Sequence, residues 1–396
     1  MTDNHAEVAV IGGGIVGLAT AWQLHLRNPS QRLLILEKEA TVASHQTGLN
    51  SGVLHSGIYY RPGSLRARNC HLGRIALQEF CSEHGVAWEQ TGKVIVATTP
   101  DEASRLQSIL DRGQQNGVRC RLIDREELLS LEPHCSGIAA IHVPEAGIVD
   151  YVGVCRRIAE LLQQAGHRLQ FNCRVTGIRQ RADKVDLQTT TETFSAAQVV
   201  NCGGLFSDRI ARQSGQRLKE RIVPFRGEYY ELHPSAEHFC RSLIYPVPDP
   251  RFPFLGVHFT RMIGGGVECG PNAVLALARE GYTWKHINLR DLLESLTYSG
   301  FLKLAAANWK TGIQEIYRSL SKAAFVRSLQ KLIPEIRSEH LHSGPAGVRA
   351  QLLGRDGKLI DDFVIQRENR VVNVCNAASP AATACLNVGR IIAEQI

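Results

Sequence analysis

Gly12, Gly14 and Gly17, in the run Gly12-Gly-Gly-Ile-Val-Gly17, are followed 20 residues later by Glu37. Residues of these types at this spacing can hold a dinucleotide. Gly12 turns the chain tightly, Gly14 lets the backbone approach a pyrophosphate, and Gly17 lets a helix pack closely on a strand. Ile15 and Val16 would then open a helix whose free N–H groups face the phosphates. Glu37 would accept the ribose hydroxyls, and its carboxylate disfavours the 2′-phosphate of NADP, an effect that Lys38 next to it softens. Proton transfer is a separate chemistry, and histidine is the residue type whose pKa suits it. Of the 15 histidines, His55 falls in a glycine-rich polar stretch and His258 in a strand-like run.

The elements that must position these residues are legible around them. Glu7-Val-Ala-Val-Ile11 is a short apolar run suited to a strand buried on both faces. Leu18 to Leu26 continues as a largely apolar helix, and Arg32-Leu-Leu-Ile-Leu-Glu37 is a second buried strand ending in the acid. Strand, glycine turn, helix, strand and acid occur in the order of a dinucleotide-binding unit.

Three distant segments favour FAD over NAD. Thr193–Asn201 predicts a strand ending in Cys202-Gly203-Gly204, with a helix start at Ser207. It is similar to the second fingerprint of flavoproteins of the two-dinucleotide-binding type. Phe171–Ile178 predicts the strand before it, with Val175 placed to touch an adenine. Val371–Arg390 predicts a strand, a turn of small residues (Ser379, Pro380, Ala381, Ala382, Thr383) and a helix, whose exposed N–H groups suit a flavin and its ribityl chain. The stretch His45–Tyr60, containing Gln46, Thr47, Asn50, Ser51 and Gly52, follows the second strand and so belongs at the carboxyl ends of the sheet, in the ligand crevice.

Composition removes other classes. A chain of 396 residues predicts two to three domains at about 150 residues each. The balance of 45 Lys+Arg against 38 Asp+Glu, net +7, is too mild to imply nucleic acid without a recognisable module. It suits an anionic small molecule or an anionic membrane surface. The 11 cysteines form no CxxC pair and no zinc-type spacing, so no metal site is expected and the thiols read as reduced. No uncharged apolar run reaches the roughly 18 residues that a membrane span needs. The first strand begins at about Glu7, which leaves no room for a signal or transit peptide. The expected location is cytoplasmic, or peripheral on the inner face of the cell membrane.

Through the whole chain run phrases that resemble the FAD-dependent D-amino-acid-oxidase-like superfamily, and within it the L-2-hydroxyglutarate dehydrogenases. They are His45-Gln-Thr-Gly48, Asn50–Tyr60, Gly147-Ile-Val-Asp-Tyr151, Pro224–Tyr229, Tyr245–Asp249, Pro253–Thr260, Gly270–Ala276, Gly344–Gln351 and Ser379–Thr383. Two positions depart from the pattern. Leu49 stands where the family has a histidine, which in some superfamily members tethers the flavin, so noncovalent FAD is expected here. Ala378 stands where proline is usual.

The resemblance implies an α/β fold: a Rossmann-like FAD-binding domain interleaved with an α+β substrate domain. Residues 1–87, 151–221 and 341–396 would form the first, and 88–150 with 222–340 the second. It also implies oxidation of an L-2-hydroxy diacid to its 2-oxo acid, with hydride passing to flavin N5. Arg349 is the candidate for the C1 carboxylate, because arginine binds carboxylates bidentately and relatives place an arginine there. Arg226, Arg261 and Tyr245 are candidates for the second carboxylate, and Tyr60 for a further contact with the substrate. His55 and His258 are candidates for the base, with Tyr59 and Tyr60 behind them. Residues 281–333 carry five Lys and three Arg against one Asp and two Glu, a balance of +5. Such basic amphipathic helices either lie on anionic lipid, making quinone the natural acceptor, or present an ordinary solvated face. The rival readings are a relative acting on another hydroxy acid, an amine or glycerol 3-phosphate, and a catalytically silent flavin-binding protein.

Overall fold

The computed structural model describes residues 4–249 and 255–396. Pro253 and Phe254 of the Pro253–Thr260 phrase lie outside the described residues. The first strand, His5–Ile11, runs parallel to Leu33–Leu36 on one side and to Thr193–Asn201 on the other. Val371–Asn376 extends the parallel set beyond Thr193–Asn201, and Arg168–Gln170 extends it beyond Leu33–Leu36. Helices Ile15–Arg27, Tyr151–Gln164, Leu65–His84 and Cys385–Ala393 pack against this sheet around Leu18, Leu77, Val154 and Val388. With helices covering them, the central strands are buried, and Val8–Ile11 and Leu33–Leu36 read as unbroken apolar runs. This is the Rossmann-like arrangement expected.

Register places the chemistry. Ile11 lies beside Leu36 and Asn201, and Asn201 beside Asn373. The strands therefore end at one level, and the glycine turn, Glu37 and Gly203-Gly204 emerge together at their carboxyl edge. Asn201 and Asn373, both fully buried, lock that edge. The Asn201 amide donates to Asn373 Oδ1 at 2.8 Å, and its Oδ1 accepts from Gly203 N–H at 3.1 Å.

The Phe171–Ile178 strand is not continuous. Asn172 adopts a left-handed conformation, φ 52°, which ends the parallel strand at Gln170 and lets Cys173 N–H donate to the Glu37 carbonyl at 2.8 Å. A new antiparallel strand then starts at Val175. The chain thus doubles back around Glu37.

The second sheet, nine-stranded among the described residues, unites both insertions. Lys93–Ala97, Ala139–Val143 and Arg121–Asp124 come from the first insertion. The second contributes Leu243–Pro246, His258–Arg261, Val267–Gly270, Val274–Leu275 and most of Arg221–Leu232. The two halves join where Lys93–Ala97 pairs in parallel with Leu243–Pro246. Leu341–Leu353, expected in the flavin domain, pairs with Arg221–Leu232 along its whole length. That boundary therefore moves past residue 353, because a long antiparallel ladder outweighs sequence proximity to the C-terminal strand. The helical region after Gly281 forms four short helices, Leu289–Leu296, Ser299–Ala307, Trp309–Leu320 and Lys322–Leu329.

Candidate functional site

Two glycines at the carboxyl edge, Gly12 and Gly17, have no room for a side chain, and Gly204 has little. A Cβ on Gly12 (φ 110°) would lie 2.5 Å from the Cys202 carbonyl oxygen, and one on Gly17 would lie 2.0 Å from that of Gly12. On Gly204 (φ 53°) it would meet Gln46 Oε1 at 3.0 Å. Gly12 is needed for its backbone conformation as well as for space. Helix Ile15–Arg27 starts at Gly14, which has no side-chain cap, so its N-terminus keeps capacity for phosphate. Thr47, buried, steadies it by accepting from Ile15 N–H at 3.1 Å. Asn50 braces the same loop, donating to the Thr47 carbonyl at 2.7 Å and accepting from Gly52 N–H at 2.8 Å. Ser51 sits between them, half-buried.

Glu37 is buried at the end of its strand and accepts from Gly13 N–H at 2.6 Å and Glu39 N–H at 2.8 Å. Lys38 turns away to Glu39 and, at 2.6 Å, to Glu280. Its proximity holds the Glu39 carboxyl down at about 2. In the C-terminal turn, Thr383 is fully buried; it accepts from His55 N–H at 3.1 Å and lies 2.8 Å from Tyr151 Oη. Ser379, ahead of Pro380, Ala381 and Ala382, brings its hydroxyl to 3.5 Å from His55 Nε2.

Opposite this edge, pairing register and the twofold alternation of strands put Lys93, Tyr245, His258, Tyr229 and Arg349 on one face of the second sheet. Val94 pairs with Ile244, Ile244 with Phe259, and His258 with Gly270. The Tyr245 and His258 rings lie 4.0 Å apart. Arg349 pairs with Phe225, and its guanidinium crosses Gly227, where a Cβ would come 3.0 Å from Nη2. It donates to the Asn272 carbonyl at 3.3 Å.

His258 is buried, and its Nδ1 lies 2.9 Å from the Gly256 carbonyl. A carbonyl only accepts, so Nδ1 carries the proton and Nε2 keeps a lone pair. Burial, with Arg349 and Lys93 adding positive charge, holds His258 down at about 4. Burial, with the charges of Lys93, His258 and Arg66, holds His55 at about 3. Both are therefore neutral at neutral pH and below the near-neutral range that suits a base. Burial pushes the phenols of Tyr59, Tyr60 and Tyr245 up, so these tyrosines are hydrogen-bond donors and poor bases. Tyr60 also carries the Arg66 guanidinium over its ring at 4.7 Å.

Two candidates for the second carboxylate are placed elsewhere. Arg226 points to the opposite face from Arg349, fully buried, 2.8 Å from Glu228 and 4.4 Å from the Trp284 ring centre. Arg261 is exposed at the far end of its strand. Lys93 was not among the sequence candidates. The available signal was a lysine inside Gly92-Lys-Val-Ile-Val-Ala97, a run otherwise apolar enough to be core.

Residues 7–395 match the family of FAD dependent oxidoreductases. The chain belongs to this family. An L-2-hydroxyglutarate dehydrogenase from Indibacter alkaliphilus is 49% identical over 390 residues, covering 98% of each chain. The human mitochondrial L-2-hydroxyglutarate dehydrogenase is 45% identical, over 98% of this chain and 88% of that protein. Among solved structures, a dithionite-reduced, FAD-bound L-alpha-glycerophosphate oxidase from Mycoplasma pneumoniae aligns with a TM-score of 0.80. Its identity is 22%, over 98% of this chain and 94% of that one.

The cofactor of this FAD-dependent oxidoreductase is FAD, and the crowded glycines, the uncapped helix start and the buried Glu37 fit it. Glu37→Ala is expected to weaken FAD binding by about 1–3 kcal/mol, the scale for losing a charged acceptor. Fluorescence titration of the apoprotein with FAD measures this, and unchanged affinity would remove Glu37 from the ribose site. With Leu49 in place of a tether, acid precipitation should leave the yellow colour in the supernatant.

Proposed function

We propose that this chain oxidises L-2-hydroxyglutarate to 2-oxoglutarate and passes the electrons to a membrane quinone. The observation that carries the first half is His258, a neutral, tautomer-fixed histidine within reach of the Arg349 charge in an enzyme with full-length relatives of that name. Arg349 grips the C1 carboxylate and thereby orients the carbinol carbon. His258 Nε2 takes the hydroxyl proton as the hydride leaves. His55, next to Ser379, lines the turn side of the pocket. Bound FAD supplies the hydride acceptor, at N5. Burial of the histidines and tyrosines keeps water from competing for the proton.

The acceptor half rests on two helices whose amphipathicity is inverted. Leu289–Leu296 buries Asp291 and Ser295 while exposing Leu289, Leu293 and Leu296. Trp309–Leu320 buries Glu315 while exposing Trp309, Ile313, Ile316 and Leu320, the last at 69%. Trp309, Ile313, Ile316 and Leu320 form one stripe at helical spacing. Glu315 accepts from Ala273 N–H at 2.9 Å, which turns the polar face inward. An exposed apolar stripe in a region of net +5 fits the surface of an anionic bilayer. Among the described residues no helix is long and apolar enough to cross a membrane, so the contact is peripheral.

Anaerobic mixing with L-2-hydroxyglutarate should bleach the visible band of the oxidised flavin. Bleaching only by another hydroxy acid or an amine would overturn the substrate. The Leu293→Glu/Ile313→Glu/Leu320→Glu variant should bleach normally yet no longer float with anionic vesicles or reduce quinone within them. Flotation equal to wild type would remove the membrane from the reading.

A further inference from the structure

Lys93 is 1% exposed, in the centre of the second sheet. Desolvating an ammonium costs several kcal/mol unless an anion or good acceptors replace water. Other buried cations in this chain have theirs: Arg226 has Glu228, Arg279 has Asp208, and Arg74 has Glu145 at 3.3 Å. Among the described residues no carboxylate pairs with Lys93 and no oxygen accepts from its Nζ. The ammonium instead sits over the rings of Tyr59 and Tyr245, 4.9 Å and 5.0 Å from their centres. Ring faces attract a cation but do not replace a counter-charge. Cys70 supplies none, because burial pushes its thiol up to about 12. Beside Lys93, the Tyr59 hydroxyl is buried and also without a hydrogen-bond partner.

The buried ammonium of Lys93, which has no counter-charge, lies on the wall that carries His258, with the partnerless Tyr59 hydroxyl reaching it from the loop and Arg349 farther along the wall. We propose that Lys93, assisted by the Tyr59 hydroxyl, receives the second carboxylate of the substrate and makes the enzyme select 2-hydroxy diacids over 2-hydroxy monoacids. The charges of Lys93 and Arg349 both reach His258, so a diacid held at its two ends presents its carbinol to the histidine between them. Burial lowers Lys93 to about 8, which leaves it mostly charged at neutral pH, and an arriving carboxylate strengthens that charge. Lys93 acts here as a specificity residue. The inference rests on the reading that the substrate is a 2-hydroxy diacid.

The test compares L-2-hydroxyglutarate with L-2-hydroxyvalerate, which has the same chain length and no distal carboxylate, as anaerobic reductants of wild type and Lys93→Met. The ratio of kcat/KM for diacid to monoacid should fall at least about 100-fold in the variant, chiefly through KM, as for loss of a buried charge pair. Glutarate, which cannot be oxidised at a carbinol, should bind wild type at least about tenfold more tightly than valerate in calorimetry, a difference Lys93→Met abolishes. Equal affinity of glutarate and valerate for wild type overturns the proposal without any variant. An unchanged ratio, or equal loss on both substrates, also overturns it. Lys93→Gln stands in if the methionine variant does not retain FAD. Failure of L-2-hydroxyglutarate to reduce the wild type would refute the substrate reading instead, so the two failures are distinguishable.

Discussion

Replacing Arg349 by lysine is expected to lower kcat/KM for the diacid by about 2–4 kcal/mol, the range for breaking a buried charge pair, while FAD content stays at the wild-type level. Lysine keeps the charge but loses the planar fork that grips both carboxylate oxygens. The fork's position is set by its surroundings. Arg349 leaves a long antiparallel strand, crosses the empty side of Gly227, and is tied to the Asn272 carbonyl. A shorter-reaching, freely rotating ammonium inherits none of that alignment. Since orientation of the carbinol depends on this grip, the loss should fall on kcat as well as KM. Gly227→Ala makes the same point from the other side. Its Cβ would stand 3.0 Å from Nη2 and 2.8 Å from Pro271 Cβ, so the guanidinium must shift. Steady-state kinetics with the diacid, beside the flavin-to-protein absorbance ratio, check both variants. Normal kcat/KM in Arg349→Lys would show that Arg349 serves only to hold the Asn272 segment.

The parts of this architecture that were legible in the sequence are those encoded by local pattern. The strand–turn–helix around Gly12–Gly17, the acid ending the next strand, and the late Gly203-Gly204 terminus are short-range signals, and each appears where expected. The proposed catalytic face was less legible because it is made by register across several strands far apart in the chain. Alternation fixes that Arg226 and Arg349 face opposite ways only once Phe225 is known to pair with Arg349. The same holds for Lys93, whose meaning depends on a parallel pairing between segments about 150 residues apart. The domain boundary near residue 341 was misplaced for this reason too. The sequence showed basic amphipathic helices across 281–333, but amphipathicity alone cannot say which face is inward. Glu315 and Ser319 decide it, through bonds to Ala273 and Glu228.

His258→Ala is expected to slow anaerobic flavin reduction by about 10²–10⁴-fold, the usual contribution of a positioned base, and His55→Ala by much less. The two histidines are close enough for the charge of one to act on the other, and both are neutral, so charge state alone does not choose between them. Tautomer and support do. The Gly256 carbonyl fixes the His258 proton on Nδ1 and leaves Nε2 ready to accept. Tyr245 packs on the ring, and Arg349 is near enough to bring a carboxylate beside it. His55 sits instead on a loop, with Ser379 Oγ 3.5 Å from its Nε2. The pH dependence gives an independent check, and its sign follows from the charges. Imidazolium cannot accept the proton, so the rate of reduction rises with pH through the pKa of the base. Burial and two nearby cations hold that pKa at about 4 in the ligand-free protein. A bound dianion cancels those cations and favours the charged imidazole. At saturating diacid the rising limb should therefore lie above pH 4 and move to higher pH than with a monoacid, whose single carboxylate cancels less. In His258→Ala the limb should vanish, and in His55→Ala it should persist. Reduction at near-normal rates in both variants would exclude the two histidines and leave the hydroxyl proton to depart through solvent, since Tyr59 and Tyr60 hold their own protons too tightly to take it.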